Sequence, residues 1–126
     1  QETDIAVIML GTNDLLNRCG LTAEVCARRM EDFLTYLLAE GPPCTLLLTA
    51  PPAMVPGAWI DSPRTLEESG RLPGCYETLA QKLGVVFVNA AEWNVSLTFD
   101  GVHFSKNGHR TFAAEMHRRL CAVLAE

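Results

Sequence analysis

Ile5-Ala-Val-Ile-Met-Leu10-Gly11-Thr12-Asn13-Asp14 joins six consecutive apolar residues to a glycine and three polar ones. A short, partly β-branched apolar run that ends at glycine reads as a strand buried on both faces. Two more runs of this kind follow: Cys44-Thr-Leu-Leu-Leu-Thr-Ala50 ahead of Pro51-Pro52, and Val85-Val-Phe-Val-Asn89. Between them the apolar spacing becomes helical. Cys26, Met30, Phe33, Leu34, Leu37 and Leu38 mark an amphipathic helix over about Thr22–Glu40, with Thr22 as N-cap and Gly41-Pro42-Pro43 as its stop. Thr65–Leu83 is also helical in pattern, but Gly70 and Pro73-Gly74 interrupt it. Proline in a helix interior costs about 3 kcal/mol, so a kink or two shorter helices are expected there. A last helix is expected over Lys106–Leu124, capped by Ser105, with Phe112, Ala113, Met116, Leu120 and Leu124 inward.

Strands alternating with helices predict right-handed crossovers and a parallel, helix-covered sheet, hence an α/β fold. Three strands are few for such a sheet, and the first starts almost at residue 1. Pro51–Arg64 carries four prolines and a glycine and reads as a long loop, of the length that often serves function. There are no internal repeats and no low-complexity tract.

Composition narrows the function classes. The 126 residues suit one domain, and 48% hydrophobic residues exclude a disordered chain. Fifteen acidic residues against ten basic, a net charge of −5, leave no electrostatic footprint for nucleic acid or anionic lipid. Ile5–Leu10 is the longest clean apolar run, far short of the ~20 residues of a membrane span. The five cysteines, Cys19, Cys26, Cys44, Cys75 and Cys121, are scattered, with no C-x-x-C pair. They fit neither a zinc site nor a disulfide framework and read as buried thiols. Unpaired thiols favour a reducing, cytoplasmic compartment, but the chain opens on Gln1 rather than Met and localisation stays open. Asn94-Val95-Ser96 is a glycosylation sequon, meaningful only in a secreted protein.

In open α/β sheets, ligands bind beyond the carboxyl ends of the strands. Two polar clusters of catalytic type fall there: Gly11-Thr12-Asn13-Asp14, and Asp100-Gly101-Val102-His103 after the third strand. A carboxylate three residues before a histidine can reach back to Nδ1–H, fix the tautomer and free Nε2 as a base. It can equally cap a turn, with the histidine a surface residue. Asn13 can donate to a developing oxyanion, or simply form an Asx turn.

Taken together, the two clusters carry a resemblance. Gly-Thr-Asn-Asp directly after a buried strand resembles the third conserved block of the SGNH hydrolases, the GDSL-like esterases and lipases. Asp100-Gly101-Val102-His103-Phe104, followed by Asn107-Gly108-His109 and a helix, resembles their fifth block. The order, the separation and the flanking elements match from Ile5 to Leu124, nearest to the small arylesterase- and acetylesterase-like members. The resemblance implies a three-layer α/β/α, flavodoxin-like fold and hydrolysis of small-molecule acyl esters by an acyl-serine mechanism without a cofactor. It implies His103 as base, Asp100 as its orienting carboxylate and Asn13 as oxyanion donor, with Gly11, Thr12 and Asp14 holding the Asn13 loop.

The same resemblance exposes a departure. The family's Gly-Asp-Ser nucleophile block and its oxyanion-glycine block are not in this chain, and there is no G-x-S-x-G elbow. Ser62, Ser69, Ser96 and Ser105 read as caps or loop polarity. Residues 1–126 are therefore expected to be the C-terminal portion of one hydrolase domain, without its first two strand–helix units and inactive alone. The Ile5–Leu10 strand would then be an exposed apolar edge, which invites pairing. An N-terminal fragment of the same protein, or another copy, is expected to cover it, making an oligomer. Met54, Val55, Trp59 and Ile60 in the long loop line a substrate pocket or pack as a lid. Asp100, His103 and His109 fit no common zinc spacing, so no metal is expected. The alternative is a non-catalytic α/β binding or interaction module on the same scaffold.

Overall fold

The computed structural model describes residues 2–16, 21–60 and 62–126. The elements are β1 (Ile5–Ile8), α1 (Thr12–Leu16), α2 (Ala23–Glu40), β2 (Thr45–Ala50), α3 (Pro63–Leu83), β3 (Val86–Asn89) and α4 (Lys106–Leu124), with a 3-10 turn at Ala90–Glu92. The strands form one parallel sheet in the order β1-β2-β3. Ala6 is paired with Leu46, and Thr49 with Val88.

Alternation along β2 explains the layers. Leu46, Leu48 and Ala50 join Met30, Leu34, Leu72, Tyr76 and Leu79 in the larger core beneath α2 and α3. Leu47 points the other way, to Val88, Met116 and Val123 under α4. β2 is thus buried on both faces, as its unbroken apolar run requires. β1 is not. It has one neighbouring strand, and Val7, which pairs with Leu47, is 41% exposed. The expected burial of both β1 faces fails: Ile5, Ala6 and Ile8 are half-buried and Val7 is exposed.

α2 starts as expected, with Thr22 Oγ1 accepting from the Val25 N–H at 3.2 Å, and it stops at Gly41. α3 is not two shorter helices. It is one helix, starting at Pro63 behind the Ser62 cap and ending at Gly84, with Pro73 in its interior. Leu72, Tyr76, Leu79 and Ala80 bury a single stripe, so both halves are fixed by the same core. That packing offsets the one backbone bond Pro73 cannot make. Gly70 and Gly74 lie where an added Cβ would meet nothing within 4 Å.

Thr12–Leu16, read from sequence as a loop, is a short helix. On α4 the inward stripe is Phe112, Met116, Leu120 and Val123, while Ala113 and Leu124 face solvent. Each of those two lies one residue off a stripe that must advance by 3.6 residues per turn.

The cysteines divide by position. Cys26 is buried, Cys44 and Cys75 are half-buried, and Cys121 is exposed beside His117, so the reading of all five as buried thiols fails. Cys19 lies outside the described residues. Burial, reinforced by the charge of Asp14, pushes the Cys26 thiol up to about 11. Among the described residues no helix is long and apolar enough to cross a membrane.

Candidate active site

After β3 and its 3-10 turn, the chain doubles back between Leu97 and Phe104, which form an isolated antiparallel bridge. Thr98 N–H donates to the His103 carbonyl at 2.8 Å, and Ser105 N–H to the Ser96 carbonyl at 2.9 Å. Asp100 and His103 occupy the tip. The tip must reverse within four residues, and Gly101 allows it with φ at +82°.

This turn uses both oxygens of one carboxylate. Asp100 Oδ1 accepts the amides of Val102 (2.7 Å) and His103 (2.9 Å), which fixes the carboxyl plane. Oδ2 is then aimed at His103 Nδ1, 2.6 Å away. With Nδ1–H held there, Nε2 is the free ring nitrogen. The Asp100 side chain is buried while the imidazole is mostly exposed.

Burial by itself raises the Asp100 pKa. The amide bonds from His103 and Val102, then the imidazole bond, more than reverse this and hold the carboxyl well below the usual carboxylate range. The nearby Thr98 hydroxyl adds to the lowering, although it is buried outside full hydrogen-bonding geometry. The folded-state value is depressed, so the linked stability is present above the unfolded carboxylate pKa and is lost as pH falls through the folded one. Denaturant midpoints measured in steps below pH 4 should therefore fall less steeply in Asp100→Asn, which carries no such group, than in the unsubstituted protein.

The loop after β2 is joined to this tip. Val55 N–H donates to the Gly101 carbonyl (3.1 Å), Ala58 N–H to Phe99 (3.0 Å) and Trp59 N–H to Asp100 (3.1 Å). The approach needs two glycines. A Cβ on Gly57 would sit 2.4 Å from the Gly101 nitrogen, and one on Gly101 would sit 2.2 Å from the Val55 carbonyl oxygen. At the loop's base, Met54 N–H donates to Ser69 Oγ at 2.8 Å. Ser69 is therefore a buried acceptor within α3, neither cap nor loop polarity. Ser62 and Ser105 do cap α3 and α4.

The four candidate pocket residues separate. Met54 is buried in the core and Ile60 packs against it. Val55 and Trp59 are exposed, and the Trp59 and His103 rings meet edge to face with centroids 4.8 Å apart. Phe99, adjacent to Asp100 and 84% exposed, adds an apolar side chain that sequence reading passed over. The signal was available: a lone aromatic directly before the Asp-Gly turn.

Asn13 lies on α1, at the carboxyl end of β1 and exposed. Among the described residues no hydrogen bond or ring contact joins it to Asp100 or His103. Its base is held firmly. Tyr76 Oη donates to the Leu10 carbonyl at 2.8 Å and would lie 2.6 Å from a Cβ on Gly11. Asp14 pairs with Arg29 of α2 at 3.6 Å, and Thr12 opens the helix. No serine hydroxyl is bonded to His103 among the described residues, nor do three His, Cys, Asp or Glu side chains gather there as a metal cage.

An apolar groove lies elsewhere. It has a volume of about 450 Å³ and runs along β1 and α2, between Ala6, Ile8, Phe33, Leu37, Leu38 and Leu46. It flanks the free edge of the sheet rather than the Asp100–His103 tip.

A sequence profile of the GDSL-like lipase/acylhydrolase family matches residues 1–111. The chain belongs to that family. Its fold is the SGNH hydrolase fold, and solved structures agree. A carbohydrate acetylesterase from Sinorhizobium meliloti is 26% identical over 95% of this chain, with a TM-score of 0.83. An arylesterase candidate from Agrobacterium tumefaciens is 29% identical over 94%, with a TM-score of 0.81. The inhibitor-bound aryl esterase of M. smegmatis is 25% identical over 94%, with a TM-score of 0.84. The chain spans about three-fifths of their lengths, 61%, 61% and 60%. No curated protein matches it. At the level of the family, the chemistry is ester hydrolysis.

Proposed function

We propose that Asp100 and His103 form the base half of a serine-esterase site acting on small acyl esters. One observation carries this reading: a carboxylate with one oxygen fixed by two amides and the other 2.6 Å from Nδ1. In the proposed reaction a serine Oγ attacks the ester carbonyl while His103 Nε2 takes its proton. The tetrahedral oxyanion accepts a hydrogen bond from the Asn13 side-chain amide. Collapse expels the alcohol, which receives the proton from His103, and leaves an acyl-serine. Water then attacks with the roles repeated, releasing the acid.

In this reading the chain supplies the last three strands of one SGNH catalytic domain, and the nucleophile comes from the remaining part of that fold. The three-fifths coverage of the esterase structures supports it. So does the β1 edge, whose free backbone groups and adjoining apolar groove suit a further strand and helix of the same protein, or a second copy. Residues 1–126 alone then have negligible turnover.

Fluorophosphonate labelling tests the reading. The intact protein should be labelled at one serine, His103→Ala should abolish labelling, and residues 1–126 alone should take none. Labelling that survives His103→Ala overturns it. An intact protein that is never labelled points instead to a non-catalytic binding module on the same scaffold.

A further inference from the structure

We infer that Trp59 is a positioning residue for the His103 imidazole, a second fixing point alongside Asp100. Asp100 constrains the ring through one hydrogen bond at Nδ1, and a single bond leaves the ring free to rock about that axis. Trp59 supplies the missing constraint. Its ring stands at 88° to the imidazole, with centroids 4.8 Å apart, the edge-to-face geometry that aromatic pairs favour.

The backbone makes this contact a built feature. The Trp59 amide donates to the carbonyl of Asp100, so the residue that orients Nδ1 also anchors the backbone of the residue that holds the ring plane. The Ala58–Phe99 and Val55–Gly101 bonds extend the same seam, and the contact of Gly57 with Gly101 sets its width. Trp59 keeps this position although it is 55% exposed and lies outside both hydrophobic cores. Core packing therefore does not account for its placement, whereas the ring contact and the seam do. With ring plane and Nδ1 both fixed, Nε2 is held in one direction, toward the point where a nucleophile's proton must arrive.

This inference rests on His103 acting as the base, and the test separates the two. In the intact protein, Trp59→Leu should lower kcat roughly three- to ten-fold, the worth of one edge-to-face pair, with KM changed less than two-fold. Trp59→Phe should recover most of the loss. The proton NMR signal of the Nδ1–H···Asp100 bond should be sharp in the unsubstituted protein and in Trp59→Phe, and broadened in Trp59→Leu. A rise in KM with unchanged kcat makes Trp59 a wall of the substrate pocket and overturns the inference. So does an unaltered Nδ1–H signal in Trp59→Leu, or equal loss of kcat in both variants. Activity surviving in His103→Ala would instead overturn the esterase reading, while leaving the NMR comparison to report on ring positioning by itself.

Discussion

Asp100→Asn in the intact protein is expected to lower kcat/KM by about 10⁴ while the fold survives. The size follows from how the carboxylate is shared. The substituted amide would have one oxygen to accept from the Val102 and His103 amides, the two bonds that define the turn. Its NH₂ would then face Nδ1 at the place of Oδ2. A donor there forces Nδ1 to act as acceptor and moves the ring proton to Nε2, so the base meets the nucleophile already protonated. The wrong tautomer, rather than a displaced side chain, causes the loss. Steady-state kinetics on an activated ester, with circular dichroism as the fold control, decide it. A loss below about ten-fold would remove Asp100 from the proposed mechanism.

Gly101→Ala should cost about 2–4 kcal/mol of stability and most of the activity. Holding alanine at φ +82° costs roughly 1–2 kcal/mol. The added Cβ would also lie 2.2 Å from the Val55 carbonyl oxygen, so the seam must open and leave amides unpaired, at roughly 1–3 kcal/mol each if they stay buried. Gly84 provides an internal control. It has a similar φ of +70°, but a Cβ there meets nothing within 4 Å, so Gly84→Ala should lose about 1 kcal/mol and little activity. Urea unfolding of both variants separates backbone strain from the clash. Equal losses would show that the close approach of the two loops contributes nothing.

Local patterns made the elements legible. The apolar run of β2, the helical spacing of α2, and the Thr22 and Ser105 caps depend on neighbours in sequence, and each stands where sequence reading puts it. The three bonds of the Asp-x-x-His turn also lie within four residues, but local pattern left two readings open there, and the pairing came from the family resemblance. Misreadings arose where distant residues decide. Pro73 breaks a helix in isolation, yet α3 continues because Leu72 and Tyr76 share one core stripe. The apolar run at Ile5–Leu10 reads as buried on both faces, but burial depends on what packs over the strand, and Val7 is exposed; its place at the edge of the sheet is as expected.

By itself, then, the sequence determined a parallel α/β fold with its three strands and three long helices, because backbone propensity and capping act over a few residues; it offered the Asp100–His103 pair as one of two readings. Only the tertiary structure decided that Ser69 receives the Met54 amide fifteen residues away and that Gly57 and Gly101 let two loops touch. It also decided that Trp59 meets His103. The loop-to-loop contacts exist because β2 and β3 lie side by side in the sheet, and the loops leaving their carboxyl ends are held within hydrogen-bonding distance.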